Sequence, residues 1–229
     1  FFPAVPILIL SSGMKGHSRP IVYNNLVPVV CSLEIAGDLA REAKRQQKTT
    51  DIQVMIDTGM GRIGVWHENA VTFLEKISRV EGVRLQGICS HFATADEPDC
   101  SFAARQLEDF TGVLSRIRDK GIDPPLNHIA NSGAVLALKD SWLDMVRPGI
   151  MFYGIYPAPH FRDTIDLRPV LSLKTRVAYL KTVEPGRTIS YGRSYRVKNR
   201  TRIATLPIGY GDGFSRAHSN RGEVLIRGK

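Results

Sequence analysis

The stretch IQVMIDTGMGRIGV, Ile52–Val65, decides the fold of this chain. Ile52-Gln53-Val54-Met55-Ile56 alternates and is rich in β-branched residues, the pattern of a strand. Asp57-Thr58-Gly59-Met60-Gly61-Arg62-Ile63-Gly64 comes next, a glycine-punctuated loop that can bend sharply and present backbone N–H groups. A strand running into a polar, glycine-rich turn with one arginine suggests a site at the strand's C-terminal end. The same residues also fit an ordinary strand-to-helix turn with a solvated arginine, so the flanking chain has to decide.

Outward from this stretch, short apolar runs alternate with amphipathic segments of helical length. Ile7–Leu10 and Val27–Cys31 read as strands ahead of it, and Ser32 with Glu34 opens a helix over Leu33–Gln47. After it come a helix over Glu68–Ser78 and a strand over Val83–Ser90 that ends at His91. A long helix then spans Ser101–Lys120, with Phe102, Leu107, Phe110, Leu114 and Ile117 on one face and Gly121 as terminator. Asn127–Ala130 is a fifth strand, Ser132 caps a helix over Gly133–Lys139, and Asp144–Arg147 is a sixth strand before Pro148-Gly149-Ile150.

Six strand-then-helix units in a row imply parallel strands with right-handed crossovers. Two architectures fit, an open doubly wound sheet or a (β/α)8 barrel short of two units. No GxGxxG comes after the first strand, which counts against a dinucleotide-type sheet. Polar residues gather just after successive strands, at Arg62, His91, Asn131 with Ser132, and Arg147. A barrel builds its active face in this way.

From Arg168 the pattern is β only. Val170–Leu173, Val177–Val183, Thr201–Leu206 and Glu223–Ile226 are separated by Pro-Gly, Tyr-Gly and Gly-Asp-Gly turns. The fold class expected is therefore α/β, a partial (β/α)8 TIM barrel of six units over residues 1–156, followed by a truncated all-β domain over 167–229. Residues 157–166, with Pro157 and Pro159, break the rhythm and read as the linker.

A net charge of +9 admits an acidic partner, but the basic residues are scattered. The densest run, Arg196–Arg202, leads into a strand and reads as a solvated edge, so neither nucleic acid nor membrane is expected as a partner. Three cysteines, Cys31, Cys89 and Cys100, are odd in number and lack metal spacing. Cys31 and Cys89 end apolar runs and read as buried thiols of a reducing compartment, with no metal. Phe1–Leu10 is apolar but too short to span a bilayer and has no basic leader. With no initiator methionine, and with Arg227-Gly228-Lys229 closing directly on a strand-like run, the chain is expected to be a central piece of a longer protein.

In this order the motifs resemble the alanine racemase family, pyridoxal phosphate enzymes made of a barrel and a β-domain. The matching segments are IDTGMGRIG (56–64), SHFATADE (90–97), NHIANSGA (127–134), MVRPGIMFYGIYP (145–157), ISYGRSY (189–195) and PIGYGDGFSR (207–216). The family's barrel opens with two further units, which added to six make eight. The lysine that forms the Schiff base with the cofactor belongs to that absent part, so the resemblance implies that this chain alone is inactive. Lys15 lies in a turn after a different strand and is no substitute.

Racemisation needs an electron sink for a weakly acidic α-proton and a base on each face of the planar carbanion. The resemblance makes Tyr191, supplied by a partner subunit, one base opposite the lysine, with a hydrogen-bond chain from Tyr191 through His91 to Arg147 and His128 behind it. Arg147 is implied to face the cofactor's pyridine nitrogen, and Ser132 with the backbone of Gly149 and Ile150 to hold its phosphate. Arg62 and Tyr210 are implied to contact the substrate. The resemblance further implies a bacterial, cytoplasmic homodimer with shared active sites that interconverts L- and D-alanine for peptidoglycan.

One position departs from the family. Many members carry a carbamylated lysine two residues before Asp-Thr-Gly that holds the arginine of MGR; here that residue is Met55. Arg62 therefore needs another acceptor, and preference for alanine is open to a broad-specificity or serine racemase of the same family. A non-catalytic pyridoxal phosphate-binding barrel is the remaining alternative, opposed by Ser190-Tyr191-Gly192 and Tyr210.

Overall fold

A computed structural model describes residues 5–12 and 16–228; Lys15 lies outside them. The chain divides after Val170 into two compact units. The first is built on a sheet whose strands run β1 (Leu8–Ser12), β2 (Val27–Val30), β3 (Thr50–Asp57), β5 (Val83–Cys89) and β6 (Leu126–His128), side by side in chain order. A short β4 (Val65–Trp66) pairs with the end of β3. Every pair is parallel, and helices α1 (Ser18–Tyr23), α2 (Leu33–Arg45), α3 (His67–Ile77), α4 (Ser101–Arg118) and α5 (Ser132–Ala137) fill the connections. This is the expected partial barrel.

Local chemistry explains the helices. The Ser32 hydroxyl accepts the Glu34 N–H at 3.2 Å to open α2, and Lys44 and Arg45 stand in its last turn, where cations suit the exposed carbonyls. At the end of α4, Gly121 adopts φ +77 and returns its N–H to the Arg118 carbonyl.

The strands are apolar on both faces because both are covered. Ile52, Val54 and Ile56 of β3 join Val30, Ile88, Leu39, Leu74, Phe110 and Ile117 in the main core between sheet and helices. The alternate residues face the other way, where Met55 meets Val29 and Cys89, with Leu8 and Ile63 against them. That second face is the barrel interior, and Gln53, two residues before Met55, shares its parity.

The expected sixth strand, Asp144–Arg147, forms no regular element, although it lies along β6. The Asp144 and Arg147 N–H groups donate to the carbonyls of Asn127 and Ala130, at 3.1 and 2.9 Å. The Asp144 carboxylate takes the Asn127 N–H that a strand carbonyl would take, and Leu143 at φ +45 turns the chain just before it. Side-chain pairing thus replaces a ladder step. The fifth helix also differs: its N-cap is Asn131, whose side chain accepts from the Ala134 N–H at 3.1 Å, and Ser132 is the first helical residue.

The segment expected as a linker contains a 3₁₀ turn at Pro159–Phe161 with Phe161 buried. The Tyr156 hydroxyl donates to Ile165 O and accepts from Leu167 N, so this stretch folds within the first unit.

The second unit holds two antiparallel pairs, β7 (Tyr179–Val183) with β10 (Thr201–Thr205) and β8 (Thr188–Ile189) with β9 (Tyr195–Arg196). Val170–Leu173 and Glu223–Ile226, expected as strands, find no partner strand among the described residues, and Leu171 and Leu225 stay exposed. Among the described residues, no helix is long and apolar enough to cross a membrane, and no group of three or more His, Cys, Asp or Glu is placed to hold a metal ion.

Candidate active site

At the end of β3 the chain turns back on itself around Asp57. One carboxylate oxygen accepts the N–H groups of Gly59 and Gly61, at 2.9 and 3.1 Å, which shapes the loop from within. Gly64, at φ +133, returns so close that any Cβ there would stand 2.8 Å from the Asp57 nitrogen. The loop motif is therefore first a device for a tight return, and Arg62 is carried outward on it. Arg62 is exposed and makes no hydrogen bond or ion pair among the described residues.

Arg147 is held at two of its nitrogens by four acceptors. Its Nη1 meets His128 Nδ1 in a short hydrogen bond. Its Nη2 faces Ser90 O at 2.6 Å, Ile129 O at 3.2 Å and His91 Nδ1 at 3.3 Å. Its Nε is buried with no hydrogen-bond partner. A guanidinium has only donors, so both imidazoles must offer it a lone pair and carry their protons on Nε2. Their environment agrees. Burial, then the charge of Arg147, pushes His128 down to about 3, and burial with Arg147 and Arg62 pushes His91 down to about 4. Both rings are neutral at pH 7.

Beyond His128 stands Gln53, whose Oε1 lies 2.6 Å from His128 Nε2. His91 is set by its own loop, where each residue from Ser90 to Ala93 is anchored. Ser90 N donates to His128 O at 3.1 Å, and Ser90 O accepts from Arg147. The buried Gln106 of α4 donates to His91 O at 3.2 Å and accepts from Ala93 N at 2.9 Å. Asn131 Nδ2 donates to Phe92 O at 3.3 Å. Below them the Thr58 and Ser90 hydroxyls pair at 2.9 Å.

Ser132 is nearly buried, and its hydroxyl lies 3.4 Å from the Met151 N–H. Because Asn131 does the capping, that hydroxyl is otherwise free to meet an anion. The Gly149 N–H is turned back onto Arg147 O at 2.8 Å, and Ile150 opens the 3₁₀ turn Ile150–Tyr153. Met55 is buried against Cys89, whose sulfur lies 3.8 Å from its own. Burial pushes that thiol up to about 12, so neither side chain can hold Arg62 as an anion would. Cys31, expected buried, is half-buried.

The second unit carries Tyr191 and Tyr210, each opening a short 3₁₀ turn. Tyr191 comes after Ser190 at φ +59, is 88% exposed, and its hydroxyl has no partner among the described residues. Tyr210 is exposed, with the Arg216 guanidinium 6.0 Å from its ring centre.

The chain matches two family models, the alanine racemase N-terminal domain over residues 2–157 and the alanine racemase C-terminal domain over residues 170–229. It is 42% identical to alanine racemase of Halothermothrix orenii over 226 residues, covering 99% of this chain and 60% of that one. It superimposes on alanine racemase of Clostridium difficile 630 with a TM-score of 0.94 at 35% identity, covering 99% and 60% of the two chains. Alanine racemase of Bacillus anthracis with bound L-Ala-P gives 0.88 at 34% identity, covering 99% and 59%.

The chain belongs to the alanine racemase family.

It spans about three fifths of the length of these relatives. Within this member of the family, the structure brings together Arg147, His91 and His128 in one hydrogen-bonded group and sets Ser132 beside the Met151 backbone. Gln53 and Gln106 belong to the site as well, and neither stands among the residues expected from the sequence. A signal exists for each. Gln53 is a polar residue at an interior parity of an otherwise apolar strand, and Gln106 lies four residues from Phe102 and four from Phe110 on the buried stripe of α4.

Proposed function

We propose that this chain supplies the cofactor ring site and one acid–base tyrosine of a pyridoxal phosphate-dependent alanine racemase, within a protein of its relatives' length. The observation that carries the reading is the Arg147 guanidinium: wedged between two neutral histidines, it keeps a buried, unpartnered Nε–H. A buried donor without a partner costs about 1–3 kcal/mol, so a ligand acceptor is expected there. A pyridine nitrogen carrying a lone pair fits it.

Pyridoxal phosphate, once bound, supplies the electron sink that lets an amino acid release its α-proton. Arg147, an arginine that keeps its own proton, leaves the ring nitrogen uncharged and so moderates the sink, favouring return of the α-proton over side reactions. Ser132 and the chain at Gly149 and Ile150 are the groups for the phosphate. Tyr191 holds or takes the proton on one face of the substrate, opposite a Schiff-base lysine that belongs outside this chain. A phenol titrates near 10, so Tyr191 works as a base only where a donor steadies its oxyanion. The His91 Nε2–H is that donor, since its Nδ1 is committed to Arg147. Tyr191 is exposed and unpartnered among the described residues of its own chain, which supports a homodimer in which each copy completes the site of the other. Arg62 and Tyr210 are the substrate contacts proposed, and the enzyme would supply D-alanine for peptidoglycan in a bacterial cytoplasm.

The test is α-proton exchange of L- and D-alanine, with L-serine alongside, in heavy water, using the relatives-length protein loaded with cofactor. The native enzyme is expected to exchange and invert both alanines, and Tyr191→Phe to lose exchange of L-alanine by about 10²-fold or more while D-alanine exchange persists. Cofactor binding with no exchange of any of these amino acids would remove the racemase reading. Serine turned over as well as alanine would favour the broad-specificity form that an unheld Arg62 allows.

A further inference from the structure

We propose that Gln53 is a positioning residue for Arg147: its amide oxygen receives the His128 Nε2–H and so holds the ring whose other nitrogen fixes the guanidinium. Three observations carry this. The pair Gln53 Oε1 and His128 Nε2 is short, at 2.6 Å, and both side chains are buried. The other end of the amide is 3.4 Å from Gln86 Oε1, an acceptor, which sets the NH₂ on that side and the oxygen toward histidine. The intervening strand leaves room for the reach. Gln53 is on β3 and His128 on β6, with β5 between them, and the β5 residue opposite Gln53 is Gly87. A Cβ at Gly87 would stand 3.2 Å from the Gln53 amide carbon and collide with the Leu126 carbonyl. Gly87 is thus the gap through which Gln53 crosses to His128.

The choice of an amide has its own logic. A carboxylate at this position would draw a second proton onto His128, and an imidazolium turns Nδ1 from acceptor to donor against a guanidinium. An apolar residue would leave a buried Nε2–H unpaired and the ring free to turn. Glutamine is the residue of this shape that accepts a strong hydrogen bond without adding charge. The row from Gln86 through Gln53 and His128 to Arg147 therefore ends in a guanidinium with four N–H groups on two fixed nitrogens and Nε left for a ligand. Only the identity of that ligand rests on the proposed racemase function; the alignment of Arg147 does not.

The experiment is NMR of the cofactor-free, relatives-length protein labelled with ¹⁵N in histidine and arginine, comparing the native protein with Gln53→Met. The His128 and Arg147 signals are assigned by their loss in His128→Gln and Arg147→Lys. The native protein is expected to show a neutral His128 ring protonated on Nε2, its proton far downfield, and slowly rotating Arg147 Nη groups with separate proton signals. In Gln53→Met the Nε2 proton should move upfield and the Arg147 Nη signals should merge, while signals of the second unit stay in place. Native His128 protonated on Nδ1, or Arg147 signals unchanged in Gln53→Met, would overturn the proposal. Should Gln53→Met not fold, Gln53→Leu also removes the acceptor, and Arg147 signals unchanged there would overturn the proposal equally. Alanine exchange measured on the same proteins after loading with pyridoxal phosphate keeps the two ideas apart: an ordered Arg147 in a loaded protein that exchanges no amino acid retains this inference and removes the racemase.

Discussion

Arg147 and Tyr191 are offered for the same chemistry, yet the chain treats them in opposite ways. Arg147 is half-buried and meets four acceptors, each fixed in turn by a strand end or a buried side chain. Tyr191 sits in a 3₁₀ turn, 88% exposed, with its hydroxyl unpartnered among the described residues. The proposed cofactor side of the site is thus preorganised by the fold of one unit. The tyrosine is only presented, with no partner for its oxygen among the described residues. Function on one side is bound up with stability, whereas on the other it is separable from it.

In urea unfolding the greatest loss of stability should come from Arg147. Arg147→Leu strips a donor from His128 Nδ1, Ser90 O and Ile129 O at once. A loss of about 3 kcal/mol or more is expected, since each buried acceptor left unpaired costs about 1–3 kcal/mol and the groups are coupled. A midpoint within experimental error of the native one would mean that water replaces the guanidinium freely, and the cofactor side would not be preorganised at all.

The next effect is a pH dependence carried by the two histidines. Each has its folded value pushed below the ordinary 6.5, to about 3 for His128 and about 4 for His91. Between these values and 6.5 the unfolded chain binds protons that the folded one refuses. Their contribution is therefore complete above pH 6.5 and is lost as pH falls toward 4 and then 3. For the buried His128 alone, roughly 1 kcal/mol should disappear between pH 7 and pH 5.5. The urea midpoint should drop accordingly, and His128→Gln should flatten the profile. An equally steep profile in that variant would assign the effect to other groups.

How much of this contrast is legible in the sequence depends on where each partner lies. The loop after β3 is legible because glycine and Asx chemistry is local: Asp57, Gly59, Gly61 and Gly64 determine each other within eight residues. The alternation of apolar runs and helices is legible for the same reason, and so is the clustering of polar residues at strand ends. The Asp144–Arg147 segment reads as a strand and is not one, because its regularity depends on whether Asn127 is met by a carbonyl or by the Asp144 carboxylate, a choice made across 17 residues. Ser132 reads as a cap because serine caps well, but Asn131, one residue earlier, takes the Ala134 N–H. Gln53 and Gln106 stay hidden because a buried amide declares itself only through distant partners, His128 at 75 positions and Ala93 at 13. Val170–Leu173 and Glu223–Ile226 have strand composition, but composition needs a neighbouring strand to become structure.

The smallest effect is the most telling. Tyr191→Phe removes one oxygen from a side chain that is exposed and unpartnered among the described residues of its own chain, so unfolding should move by less than about 0.5 kcal/mol. The same substitution is expected to abolish exchange on one face of alanine. A residue whose loss leaves stability untouched yet stops proton exchange on one face of the substrate serves chemistry and not the folding of its own unit. Dilution of the relatives-length protein makes this quantitative: activity per chain should fall with concentration as copies separate. If Tyr191→Phe instead lowered the midpoint by as much as 1 kcal/mol or more, the hydroxyl would have a partner within the folded chain, and the contrast with Arg147 would collapse into a difference of degree.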